Sequence, residues 1–133
     1  MTRYLLDADI CIYLLKGFAK NAIQKFESLT PGDVAVSSIT TAELFYGAQN
    51  SQYPDRNTSA IEKFISPLVI LPFENTSAYH YGRIRKQLEV KGKVIGQMDM
   101  LIASIALSHK LIVVTNNVRE FKRVQGLKVE NWT

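Results

Sequence analysis

The residues with the clearest chemical potential are acids that directly follow apolar runs. Arg3-Tyr4-Leu5-Leu6 leads straight into Asp7-Ala8-Asp9, two carboxylates one residue apart. Glu43 lies in Thr40-Thr41-Ala42-Glu43, shortly after the apolar run Val34–Ser37. Asp99 sits between methionines in Met98-Asp99-Met100 and opens a strongly apolar stretch. Asn116 and Asn117 follow the apolar run Leu111–Val114 and offer neutral oxygens. Each position also has a structural reading. Asp7 or Asp9 can cap the helix that follows, and Asp9 is the better placed of the two. Thr40-Thr41-Ala42-Glu43 has the capping-box pattern, which puts Glu43 in a first helical turn. Asp99 complements a helix dipole, and Asn-Asn is turn chemistry. The apolar neighbours of Asp99 argue against a purely solvated role, because an unpaired buried charge is costly.

Convergence changes that balance. Two bare carboxylates about 4 Å apart repel by roughly 4 kcal/mol at an effective dielectric near 20. A divalent cation relieves the repulsion. An all-oxygen donor set without a His or Cys cluster selects Mg²⁺ or Mn²⁺ over Zn²⁺. Such an ion suits phosphodiester hydrolysis. Asp7, Glu43 and Asp99 are the candidate metal ligands, and Asn116 and Asn117 could add neutral oxygens. His80, His109 and Cys11 have no partner at a suggestive spacing and read as structural or surface residues.

Positioning these residues requires strands that end at one edge. The spacing predicts strands at 3–6, Val34–Ser37, Leu68–Leu71, Leu111–Val114 and Leu127–Glu130. It predicts helices over Ile10–Lys16, Lys20–Leu29, Thr40–Gln49, Thr58–Ile65, Asn75–Val90 and Met98–Ser108, with a loop over Asn50–Asn57. The long helix is expected to bury a stripe of Ala78, Tyr81, Ile84 and Leu88. Alternating strands and helices imply an α/β fold whose parallel sheet is covered on both faces, and 133 residues suit one domain, 1–133. In such sheets chemistry gathers beyond the C-terminal strand ends.

Composition sets the class of partner. Lys and Arg number 16 against 12 Asp and Glu, for a net charge of +4. Ten of those cations but only four of the acids fall within 81–133. Gathering acids in one cleft leaves the remaining surface more basic, which favours a polyanion. Arg83, Arg85, Lys86, Lys91 and Lys93 read as a solvated face that could follow phosphates, and Tyr79 could stack on a base. A single cysteine, no signal-peptide pattern and no bilayer-length apolar run predict a cytoplasmic protein.

Together these residues resemble the PIN-domain ribonucleases, and most closely the VapC toxins of bacterial type II toxin–antitoxin pairs. The resemblance rests on Leu6-Asp7-Ala8-Asp9-Ile10, Thr41-Ala42-Glu43-Leu44 with Gly47-Ala48, and Ile95-Gly96 with Asp99-Met100-Leu101-Ile102-Ala103. Thr115-Asn116-Asn117 through Arg119-Glu120-Phe121, and the tail Gly126-Leu127 with Glu130-Asn131-Trp132, complete it. It implies a PIN-like three-layer fold, a twisted and mostly parallel sheet between helices, and a Mg²⁺-dependent endoribonuclease site. Asp7 and Asp99 would hold the metal directly. Glu43 would bind partly through water or orient the attacking hydroxide. Asn117 matches the fourth site position and Glu120 stands behind it. The resemblance further implies an RNA substrate, with tRNA one class that relatives cut, a homodimer, a VapB antitoxin whose C-terminal segment fills the groove, and operator DNA bound through that antitoxin. Two residues depart from the pattern: Ala8 replaces the usual Thr or Ser, and Asn117 stands where many relatives carry Asp.

Two other readings predict different behaviour. Asp7-Ala8-Asp9 fits the Asp-x-Asp opening of haloacid-dehalogenase-like phosphatases, with Asp7 as nucleophile and Asp9 as general acid. Alternatively the chain is a basic nucleic-acid-binding module whose acids only cap helices. That module would bind RNA without regard to chelators.

Overall fold

The computed structural model describes all residues, 1–133. Five short strands form one sheet: β1 (Tyr4–Leu6), β2 (Val34–Ser37), β3 (Val69–Leu71), β4 (Ile112–Val114) and β5 (Lys128–Glu130). Their order is β3-β2-β1-β4-β5, and every neighbouring pair is parallel. The helices are α1 (Ala8–Lys16), α2 (Lys20–Glu27), α3 (Ser38–Gln49), α4 (Pro54–Ile65), α5 (Asn75–Val90), α6 (Gln97–His109) and α7 (Val118–Phe121).

Strand periodicity splits the core into two layers. Tyr4, Leu6, Val34, Val36 and Val114 face one side, where Ile10, Ala22, Leu44 and Ile61 of α1–α4 cover them. Leu5, Ala35 and Val113 face the other, under Ile84 and Leu88 of α5, Ile102 and Ile105 of α6, and Phe121 of α7. A side-chain period of two makes this partition automatic once both faces are buried. The expected α/β architecture is therefore present, with a sheet that is parallel throughout.

Several expected boundaries are corrected by capping. α1 begins at Ala8 rather than Ile10, because Asp7 and not Asp9 caps it: the Ile10 amide donates to Asp7 Oδ1 at 3.0 Å. Asp9 sits exposed in the first turn. α3 begins at Ser38 rather than Thr40, because Ser37 at the end of β2 is the cap, its hydroxyl accepting from the Thr40 amide at 3.0 Å. The expected Thr40–Glu43 capping box is thus absent, and Glu43 lies beyond the first turn. The expected loop 50–57 is shortened: α4 starts at Pro54, a residue suited to a first helical position because it lacks the N–H that would be orphaned there. α2 ends two residues early, at Glu27. On α5, Ser77 rather than Ala78 is buried, its hydroxyl 3.2 Å from that of Ser108 on α6. Cys11 is a core thiol, and burial pushes its pKa up.

Candidate active site

The sheet order reverses direction at β1: β2 and β3 extend one way and β4 and β5 the other. The gap beyond the C-terminal ends of β1 and β4 is the topological switch point of an open parallel sheet, where such folds place ligands. Asp7 follows β1 and Thr115 follows β4. The Asp7 amide donates to the Val114 carbonyl at 3.1 Å, which locks the two strand ends in register. The Thr115 hydroxyl donates to Asp7 Oδ2, so both oxygens of this buried carboxylate already have a donor. Even so, burial lifts Asp7 from 3.8 to about 6, against the lowering effect of the Thr115 and Ile10 donors and with smaller contributions from Asp9 and Glu43.

Asp99 enters from the first turn of α6. Its carboxyl is raised from 3.8 to about 7, first by desolvation and then by the charges of Asp7, Glu120, Glu43 and Asp9. Gly96 caps α6, and a Cβ built there would lie 3.6 Å from Asp99 Oδ2, in ordinary van der Waals contact. Glu43 enters from α3. It is half-buried, and desolvation and then the Asp9 charge raise its pKa. Asp9 therefore belongs to the electrostatics of this cluster although it caps nothing.

On the β4 side, Thr115 Oγ1 also accepts from the Asn117 amide at 2.8 Å, and Asn117 Nδ2 donates to Glu120 Oε2 at 2.5 Å. A chain of contacts thus runs from Asp7 through Thr115 and Asn117 to Glu120. The oxygen Oδ1 of Asn116, in the same segment, is buried without a hydrogen-bond partner.

The structure therefore gathers Asp7, Glu43 and Asp99 into one field of mutual repulsion, with Asn117 and Glu120 at its β4 side. The histidines stay outside: His80 meets Arg83 on α5 at 2.9 Å, and His109 ends α6. As they stand, no three acidic, histidine or cysteine side chains already form a metal cage. Mg²⁺ does not demand one. It keeps several waters and typically takes one or two carboxylates together with substrate phosphates. A donor set of oxygens alone, two of its carboxyls raised toward neutrality by crowding and burial, fits a hard divalent cation.

An apolar groove of about 320 Å³ adjoins the cluster between α1, α3 and α4. Ile12, Leu15, Leu44, Ala48 and Ile61 line it, and Glu43 and Lys16 also border it.

The family model described as PIN domain matches residues 4–127. The chain belongs to the PIN-domain family. It is 46% identical over 132 residues to "Ribonuclease VapC2" of Haemophilus influenzae, covering 99% of each chain. It is 42% identical over 133 residues, the full length of both, to "tRNA(fMet)-specific endonuclease VapC" of Shigella flexneri. A chain in the crystal structure of VapBC2 from Rickettsia felis bound to a DNA fragment from its promoter superposes with a TM-score of 0.92. That match covers 99% of this chain and 100% of the other at 38% identity. This PIN domain is therefore of the VapC group, as its four motifs suggested, and the Asp-x-Asp phosphatase reading is set aside.

Sequence reasoning missed Thr115. The hydroxyl on Asp7 comes from Thr115, 108 positions away in sequence. The usable signal was its place: a Thr immediately after a β4 that pairs directly with β1.

Proposed function

We propose that this chain is the toxin of a type II toxin–antitoxin pair, a Mg²⁺-dependent endoribonuclease that cuts RNA by hydrolysis at the switch point. Mn²⁺ is an alternative ion. The observation that carries this reading is the convergence of Asp7 and Asp99 with Glu43 and Glu120 beyond the ends of β1 and β4, close enough that burial and then these neighbours raise the Asp99 carboxyl. A fold gains nothing from crowding acids at a strand edge unless something positive resides there. The names of the relatives, a ribonuclease and a tRNA endonuclease, support RNA as the substrate, with tRNA the first class to test.

Asp7 and Asp99 would hold the ion. When bound, it lowers the pKa of a coordinated water and neutralises charge developing on phosphate. Thr115 fixes the Asp7 carboxylate through Oδ2, while the Ile10 amide fixes Oδ1. Glu43 faces the site through its half-buried carboxyl, raised by burial and then by Asp9, and would orient the attacking water or reach the ion through water. Asn117 is held by Thr115 and Glu120 and offers its free carbonyl oxygen.

The apolar groove between α1, α3 and α4 suits the C-terminal segment of a VapB antitoxin, which would cover Glu43 and silence the site. The structure of VapBC2 on promoter DNA supports both an antitoxin partner and operator binding through the complex. A homodimer and a cytoplasmic location complete the proposal; no helix is long and apolar enough to cross a membrane.

The test is cleavage of unfractionated tRNA by purified protein, with Mg²⁺ or with EDTA, followed by sequencing of the new ends. Cleavage should require Mg²⁺ and disappear in Asp7→Asn and Asp99→Asn with the fold intact. Cleavage that persists in EDTA, or RNA binding without any cleavage, refutes the proposal.

A further inference from the structure

The acids that would hold the ion also repel the RNA that must reach it. The attraction that holds the substrate therefore has to come from elsewhere on the surface. Two adjoining clefts without acids offer a place for it.

Helices α5 and α6 form an antiparallel hairpin. Ser77 at the start of α5 meets Ser108 at the end of α6, so the C-terminal end of α5 and the turn 91–96 lie at the Asp99 end. The segment 122–126, after α7, runs beside α5. Gln87 Nε2 donates to the Arg123 carbonyl at 3.5 Å, and Arg123 Nη1 donates to the Val94 carbonyl at 3.3 Å. Between α5 and this segment lies a cleft of about 310 Å³, bordered by Arg83 and Gln87 on one side and Gln125 and Gly126 on the other. At Leu107 and Gly126 it meets a second cleft of about 260 Å³ that carries Lys110 and Lys128. Lys91, Lys93 and Lys122 stand exposed at the site end.

No acid lines either cleft. The chain's one ion pair, Arg85 with Glu89, uses none of these cations. The first cleft borders α5 only from Arg83 to Gln87, and the second continues from it past the C-terminal end of α6 to Lys110 and Lys128. Unpaired cations along a groove, without intervening acids, complement a polyanion rather than a protein's mixed surface.

We propose that two joined clefts form a trough that carries the phosphate backbone of the RNA strand on its way to the carboxylate cluster: one between α5 and the segment 122–126, bordered by Arg83, and one at the far end of the sheet between the C-terminal end of α6 and the start of β5, bordered by Lys110 and Lys128. This rests on the ribonuclease reading and names where that substrate lies. The trough is on the opposite face of the sheet from the α1–α3–α4 groove, so RNA and an antitoxin segment would meet only at the site itself.

The test is binding of unfractionated tRNA in EDTA, where cleavage does not intervene, across a salt series. The variants are Arg83→Glu, Lys128→Glu and their combination, with Lys20→Glu on α2 as a control of equal charge change. The trough variants should weaken binding several-fold. Each should flatten the slope of log affinity against log salt by about 0.7 for every phosphate it no longer neutralises. In Mg²⁺ the same variants should raise KM far more than they lower kcat. Equal weakening by Lys20→Glu, or no change in slope or KM, overturns the proposal. Arg83→Gln and Lys128→Gln repeat the test with milder changes should either reversal disturb folding. A failure here with wild-type cleavage intact rejects the trough alone. Absent cleavage by the wild type rejects the ribonuclease reading, while the EDTA binding data still judge the trough.

Discussion

Asp7→Asn should make the metal-free protein more stable at neutral pH. A carboxyl raised from 3.8 to about 6 is destabilised in its ionised form by about 3 kcal/mol. The sign follows from linkage. Because the folded state binds the proton more tightly than the unfolded state, the contribution of Asp7 is fully present below about pH 4 and is lost as pH rises through about 6. The amide keeps both hydrogen bonds. Its oxygen can accept from the Ile10 amide, Asn being as good an N-cap as Asp, and the Thr115 hydroxyl can turn to accept from its NH₂. In urea denaturation with EDTA, the stability gap between variant and wild type should open between about pH 4 and 6 and level off at about 3 kcal/mol above that. Mg²⁺ should then close the gap by stabilising the wild type alone, by about 2.7 kcal/mol at a hundredfold excess over Kd. A variant no more stable than wild type at about pH 7.5 in EDTA would refute the claim that burial and crowded charge dominate Asp7.

Thr115→Val removes the donor to Asp7 Oδ2, a charge-assisted hydrogen bond worth about 1.5–3 kcal/mol. The Asp7 midpoint, followed by carboxyl-carbon NMR in EDTA, should climb above about 6, and cleavage at neutral pH should fall by about tenfold or more. An unmoved midpoint would count against the link. Asn117→Asp places a second carboxylate against Glu120 and adds charge near Asp99. It should lower metal-free stability in urea and tighten Mn²⁺ binding by calorimetry, and the opposite pair of changes would contradict that electrostatic account. Trp132 is buried edge-on to Tyr4, 5.2 Å between ring centres, with its indole N–H donating to Glu130. Trp132→Ala should cost about 3–5 kcal/mol in urea while leaving the Mn²⁺ stoichiometry unchanged.

The fold was legible where apolar runs were long or strictly alternating. β1, β2 and β4 and the buried α6 all lie within two residues of their expected spans. Helix starts were less legible, because a cap is chosen by backbone geometry among adjacent polar residues. Asp7 and Asp9 differ little as sequence, yet only Asp7 sits at the extended strand exit, with φ −83° and ψ 175°, where its oxygen meets the Ile10 amide. Ser37 beat Thr40 for the same reason. The short helix α7 has a single turn and little periodicity to reveal it. Of the site, the acids were visible one by one because each follows a strand or opens a buried helix. The Thr115 link was not visible, since it depends on β4 lying beside β1, a pairing across more than a hundred residues.

The central claim is that Asp7 and Asp99 trap one divalent cation. Titration of Mn²⁺ into the protein, with free ion read by electron paramagnetic resonance, measures this directly. One Mn²⁺ should bind per wild-type chain, displaced by Mg²⁺, and none should bind at the same concentrations in Asp7→Asn or Asp99→Asn. Equal Mn²⁺ binding by wild type and both variants, or no binding by any of them, would contradict it.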